Sequence, residues 1–211
     1  MDKQAQIRRR QMDRALRWSL LLFFGFLVVT QQVLTNGPLV SYDKEINSQP
    51  KPQFEGFAGF FLRRLDDLGL RSLTATVLLL AAGFIAYKFK TWRPLNLALI
   101  SLLSLNLVVG TFKIVLGRTK PRDGFDLLHA GGMSYPSGHA SNAVLSWGIL
   151  AYLIYRYAKV DRYQGRLASA GVVLISLTVC VVSLIRHTHW FSDLLGGLFV
   201  GSALLVAVIA I

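Results

Sequence analysis

Apolar positions gather into six runs separated by short polar stretches, and each run is long enough to cross about 30 Å of hydrocarbon as a helix. The runs extend from about Trp18 to Leu34, Leu70 to Tyr87, Pro94 to Phe112, His139 to Tyr155, Leu167 to Ile185, and Phe191 to the end. This pattern predicts an all-α, polytopic membrane bundle of six transmembrane helices, formed by a single domain over residues 1–211. Between the first two runs, Phe54, Phe57, Phe60, Phe61, Leu65 and Leu68 recur at helical spacing with Arg63, Arg64, Asp66 and Asp67 among them. That amphipathic stretch predicts a helix lying in the membrane interface.

Charge fixes the orientation. The chain has a formal net charge of +12 and is 53% apolar. The hydrophobic runs exclude a solvated nucleic-acid-binding arm as the reason for that charge. Thirteen Lys/Arg fall in residues 1–17 and in the loops near 88–93 and 156–166, against Asp2, Asp13 and Asp161 as the acids there. By the positive-inside bias these segments, and both termini, are cytoplasmic. Residues 36–71 hold five Lys/Arg and five Asp/Glu, so the 36–70 segment is external, as are 113–138 and 186–193. The basic N-terminus is followed by Thr30-Gln31-Gln32 and no small-residue cleavage site, so the first helix is expected to be retained.

Single residues add little to this frame. Cys180 reads as a small core residue, Asn106 as an interhelical hydrogen-bond partner, and Trp92 and Trp190 as interfacial anchors. Gly197 and Gly201 form one GxxxG, a pointer to close helix packing. None of these carries chemistry.

Two external clusters do. The first gathers Lys113, Arg118, Lys120 and Arg122 within ten residues and continues to Pro136-Ser137-Gly138-His139, where a new helix opens. Cations followed by a glycine-containing turn at a helix start suit an anion, because free N–H groups and the positive end of the helix dipole both face it. Phosphate is the expected anion. The second cluster is Arg186-His187-Thr188-His189-Trp190-Phe191-Ser192-Asp193 on the same predicted membrane face. A carboxylate four residues after an imidazole sits beside it on a helix and can fix its tautomer, leaving the other ring nitrogen as nucleophile or base. A carboxylate in the first turn is also favoured by the helix dipole alone. His187, six residues from Asp193, falls on another helix face, and His129 reads as a loop residue. Arg122, Asp123 and Asp126 read as solvated loop charges.

These stretches resemble the signature of the type 2 phosphatidic acid phosphatase family, membrane lipid phosphatases related in core to vanadium haloperoxidases. Where the family has Lys, six residues, then Arg-Pro, this chain has Lys113 and Lys120-Pro121; Pro136-Ser137-Gly138-His139 matches the second motif in full. His189 and Asp193 match the end of the third. That motif's arginine falls on Ser183, with Arg186 the nearby guanidinium able to replace it. At Lys120 the charge is kept and the bidentate fork lost, for which Arg118 is the expected compensation.

The resemblance implies a hydrolase acting on a lipid phosphate or diphosphate, with undecaprenyl diphosphate, phosphatidylglycerol phosphate and phosphatidic acid all suitable. His189, oriented by Asp193, would attack phosphorus to form a phosphohistidine while His139 protonates the leaving oxygen. Lys113, Lys120, Ser137, Gly138 and Arg186, with Arg118, would hold the phosphate oxygens, and no metal or other cofactor is required. The implied setting is a bacterial inner membrane, with membrane lipids as neighbours and no nucleic-acid partner. A lipid-to-lipid phosphotransferase and an anion transporter are the competing functions; the transporter fits poorly with charges at helix ends and no inverted repeat.

Overall fold

A computed structural model describes residues 3–158 and 160–210, so Lys159 of the predicted basic loop lies outside the described residues. Eight helices follow one another: α1 (Lys3–Leu34), α2 (Pro38–Ser48), α3 (Gly56–Asp66), α4 (Arg71–Phe89), α5 (Arg93–Leu116), α6 (Gly138–Tyr157), α7 (Arg162–Ile185) and α8 (Phe191–Ala210). Among the described residues no strand is present. Five helices, α1, α4, α5, α7 and α8, are long and apolar enough to cross a membrane.

The remaining predicted span, α6, has 20 residues but carries His139, Ser141, Asn142 and Ser146 among its buried or half-buried positions. Its position accounts for that polarity. It packs against α4, α5, α7 and α8, so its polar groups meet protein and leave lipid contact to its neighbours. Ser141 Oγ donates to the Ser137 carbonyl at 2.9 Å, and Asn142 Nδ2 donates to the Gly138 carbonyl at 2.8 Å.

Where one amphipathic helix was predicted between the first two spans, the described residues hold two helices, one of them ahead of the predicted stretch. Residues 56–66 form α3, continued by a 3-10 turn over Asp67–Gly69, and Phe57 is 82% exposed beside the exposed Phe60 and Phe61. Ahead of it, Gly37-Pro38 starts α2, with proline at the position where a missing N–H costs nothing. The second correction is Trp190, expected at the interface and in fact buried, its Nε1 donating to the Thr119 carbonyl at 2.9 Å. Trp92 is 74% exposed between α4 and α5. Cys180 is buried, and Asn106 accepts from Arg71 Nη1 across α4 and α5 at 2.9 Å.

Gly197 and Gly201 set the approach of α8 to α6. A Cβ on Gly197 would lie 2.6 Å from the Ser137 carbonyl oxygen, and one on Gly201 would lie 2.9 Å from that of Ser141. Both obstacles are backbone, so neither gives way cheaply. Gly197→Val is therefore expected to cost about 1–3 kcal/mol by overpacking, seen as a lower midpoint of thermal unfolding in detergent. Gly83→Ala, with nothing within 4 Å of the added Cβ, should leave that midpoint unchanged.

Candidate active site

Three turns of chain meet at one end of the bundle: the loop after α5, the start of α6 and the start of α8. Gly117 ends α5 in the left-handed region (φ +52) and reverses the chain, turning Arg118 inward. The Ser137 N–H, just before α6, donates to the Asp193 carbonyl in the first turn of α8 at 2.9 Å. That bond pins together two segments more than fifty residues apart in sequence.

Arg118 is the hub beneath them. Its guanidinium is fully buried and all five N–H groups are committed. Nε donates to Asp126 Oδ1 (2.8 Å), Nη2 to Asp126 Oδ2 and Asp43 Oδ2 (both 2.7 Å), and Nη1 to Ser192 Oγ (2.7 Å) and Asp193 Oδ1 (2.8 Å). The Trp190 ring covers it at 5.4 Å. This corrects the assignment of Arg118 to phosphate binding, because no donor is left to give. Asp126, read from the sequence as a solvated charge, is one of its ligands. Burial pushes the Asp43 carboxyl above its usual range against the pull of Arg118 and Ser192.

Asp193, also fully buried, faces both ways. Oδ1 takes the arginine, while Oδ2 accepts from Ser134 Oγ and from the Trp190 N–H (2.9 Å) and lies 3.4 Å from His189 Nδ1. Nε2 is the ring nitrogen left for chemistry. The His139 ring, carried by the first turn of α6, has its centroid 6.1 Å from that of His189.

The two imidazoles open on a cavity of about 330 Å³ also lined by Lys113, Lys120, Gly138, Arg71 and Asn142. Lys113 Nζ donates to the Met133 carbonyl. Among the described residues, the N–H groups of Gly138 and His139 have no acceptor, as expected for the first two helical positions. Ser137 is not part of this wall. It is fully buried, and its hydroxyl caps α6 by accepting from the Ala140 N–H at 3.3 Å, which leaves its own O–H as a donor.

Ser183, where the family motif has arginine, donates to Asp66 Oδ1 at 3.0 Å, and Arg186 Nη1 pairs with Asp66 Oδ2. Asp66, Arg186, Lys113 and His189 are the charged or titratable neighbours acting on His139. Arg186, one helical turn further along, is thus held by an aspartate that the sequence presents as an ordinary surface charge, and it is not among the residues lining the cavity of the two histidines. His187 faces Lys51 and Asn47 and makes no contact with Asp193. His129 sits exposed in the loop, and Asp123 caps the turn after Lys120.

Arg71, Asn142, Asp66, Asp43, Ser134 and Ser192 are the functional neighbours that sequence reasoning missed. Arg71 had a usable signal, since it flanks a span on the same predicted face as the motifs. The others had none.

Among the described residues the chain is an all-helical bundle with membrane-length helices and two histidines over a cation-lined cavity, a setting suited to an anionic group. The particular family follows from comparison with known proteins: the model of the PAP2 superfamily matches residues 73–211, and the chain belongs to that family. It is a multi-pass membrane phosphatase of the PAP2 type. It is 26% identical over 188 residues to phosphatidylglycerophosphatase B of Bacillus subtilis (strain 168), covering 85% of this chain and 87% of that protein. The fold is shared with the crystal structure of a transmembrane PAP2 type phosphatidylglycerolphosphate phosphatase from Bacillus subtilis, at a TM-score of 0.79 and 22% identity over 90% of this chain and 94% of that one.

Proposed function

We propose that this phosphatase removes the terminal phosphate of a phosphatidylglycerophosphate-type lipid through a phosphohistidine on His189. The observation that carries the mechanism is the pair of imidazoles, 6.1 Å apart by ring centroid over one cationic cavity. In-line transfer needs reacting atoms about 3 Å from phosphorus, a spacing two rings so placed can supply from opposite sides. The likeness to phosphatidylglycerophosphatase B favours this lipid over undecaprenyl diphosphate and phosphatidic acid.

Each step balances on groups of this chain. The Nε2 lone pair of His189 forms the P–N bond as the P–O bond to the lipid alcohol breaks, and protonated His139 gives its proton to the departing oxygen. Asp193 stabilises the imidazolium so formed. Neutral His139 then takes a proton from water, the hydroxide attacks phosphorus, the P–N bond breaks, and orthophosphate leaves. Lys113, Lys120, Arg71, Arg186 and the N–H groups of Gly138 and His139 stabilise the charge on the non-bridging oxygens.

In the membrane, α6 is the sixth crossing and is shielded by its neighbours. The basic ends of the spans support a reading in which both termini are cytoplasmic, and the likeness to a Bacillus subtilis protein favours a bacterial inner membrane. The site then faces the exterior, and the exposed phenylalanines of α3 lie at the interface. Phosphate release from phosphatidylglycerophosphate, phosphatidic acid and undecaprenyl diphosphate, measured in detergent with EDTA and with vanadate, tests the proposal. Fastest release from phosphatidylglycerophosphate, insensitive to EDTA and blocked by vanadate, is expected; loss of activity in EDTA or preference for another lipid would contradict it.

A further inference from the structure

A second cavity, of about 310 Å³, lies beside the first where the α2–α3 linker meets the end of α7. Lys51, Arg63, Arg186 and His187 line it together with Phe54 and Leu62, and no carboxylate is among its lining residues. Asp66, paired with Arg186, is the one carboxylate bonded to any of these four side chains among the described residues. Lys51 Nζ lies 3.3 Å from His187 Nδ1, which is also 2.7 Å from Asn47 Oδ1.

Lys51, Arg63 and His187 have no carboxylate bonded to them among the described residues, and the ion pair to Asp66 engages Arg186 alone. Burial draws the Lys51 ammonium below its ordinary range, and burial followed by the charge of Lys51 does the same to the His187 imidazole. His187 is moreover held at φ +52, a left-handed conformation uncommon for a residue with a side chain. The Arg122 N–H donates to its carbonyl at 3.2 Å and helps to fix it there. Positive groups gathered from three chain segments around a small concave space form a site for a tetrahedral oxyanion.

Arg186 links the two places through Asp66. It lines this second cavity, while its charge and that of Asp66 act on His139 in the first. The catalytic cavity is bordered by Leu105, Val109 and Gly110 of α5, an apolar side suited to the lipid. The second cavity instead opens among polar residues of the α2–α3 linker.

We propose that the pocket formed by Lys51, Arg63, Arg186 and His187 is a phosphate-binding site separate from the two-histidine cavity, which receives the orthophosphate released there. The proposal rests on the phosphatase reaction described above for the origin of the ion, though the binding itself does not depend on turnover. A phosphate carried by a neighbouring lipid head group has the same chemistry, so the test separates the two sources.

The experiment uses the full chain with Lys51→Gln and Arg63→Gln combined, two positions outside the catalytic cavity. Inhibition of lipid phosphate hydrolysis by added orthophosphate should weaken at least about fivefold, on the order of 1 kcal/mol of lost charge attraction. The value of kcat/KM without added phosphate should stay within twofold. A readout independent of activity is the broadening of the 31P resonance of orthophosphate, expected with the native protein and much reduced with the variant. In nanodiscs, broadening that persists on adding phosphatidylglycerol supports free phosphate as the occupant, and broadening abolished by that lipid overturns it in favour of a head group. Equal broadening by the native and variant proteins would overturn the site itself. Absence of hydrolysis in every protein would refute the phosphatase mechanism and leave the 31P comparison standing.

Discussion

His189→Ala is expected to lower kcat by on the order of 10⁴-fold or more, because the nucleophile of a covalent mechanism has no substitute in the cavity. His187, next but one in sequence, is engaged with Lys51 and Asn47 and cannot take over. His139→Ala should cost less, about 10²- to 10⁴-fold, the usual range for a general acid. The two variants separate further by leaving group. An aryl phosphate departs without needing a proton, so it should restore much of the activity of His139→Ala and none of that of His189→Ala. Phosphate release from lipid and aryl substrates, followed side by side, checks this. Near-native turnover by His189→Ala would remove the nucleophile assignment.

The second large effect is on stability. Arg118→Met removes the one guanidinium that Asp43, Asp126 and Asp193 share, and Arg118, Asp43 and Asp193 are fully buried as side chains. Breaking a buried ion pair by deleting one partner costs about 3–5 kcal/mol, since the remaining charge is left uncompensated. Here three carboxylates are left. Arg118→Met should therefore unfold at markedly lower temperature, and it should lose activity as Asp193 shifts from His189. Arg118→Lys keeps a charge but has three donors in place of five, so it should fall between. Adding Asp43→Asn to Arg118→Met should recover part of the loss, since it removes one of the unpaired charges. Thermal unfolding of the native protein, Arg118→Met, Asp43→Asn and their combination in detergent gives the coupling, and an Arg118→Met protein as stable as the native one would show that the hub does not hold the site.

The contrast between Arg118 and His189 shows what a sequence can disclose. His189 and Asp193 are four residues apart, and local helical geometry brings them together without reference to the rest of the chain. Gly197 and Gly201 likewise sit on one face of one helix. The apolar runs were legible because each must satisfy lipid along its own length. Arg118 sits in a loop rich in cations and looks like one more of them. Its partner Asp43 lies 75 residues before it, on a short helix inside a segment balanced in charge, and Asp193 lies 75 residues after it. Nothing periodic links these three positions. Asp66 was hidden for a similar reason: beside Arg63, Arg64 and Asp67 it reads as a surface charge, yet it is buried against Ser183 and Arg186. Helix α6 was legible as a helix, but its polar positions make sense only once four neighbours surround it.

The central claim is that His189 carries the phosphoryl group during turnover. Quenching the enzyme in alkali, where a phosphorus–nitrogen bond survives, and mapping phosphate by mass spectrometry tests it directly. Phosphate on His189 in the native protein, accumulating while lipid substrate lasts and absent from His189→Ala, is the expected result. Turnover with no modified histidine, or with the label on His139 or His187, would contradict it.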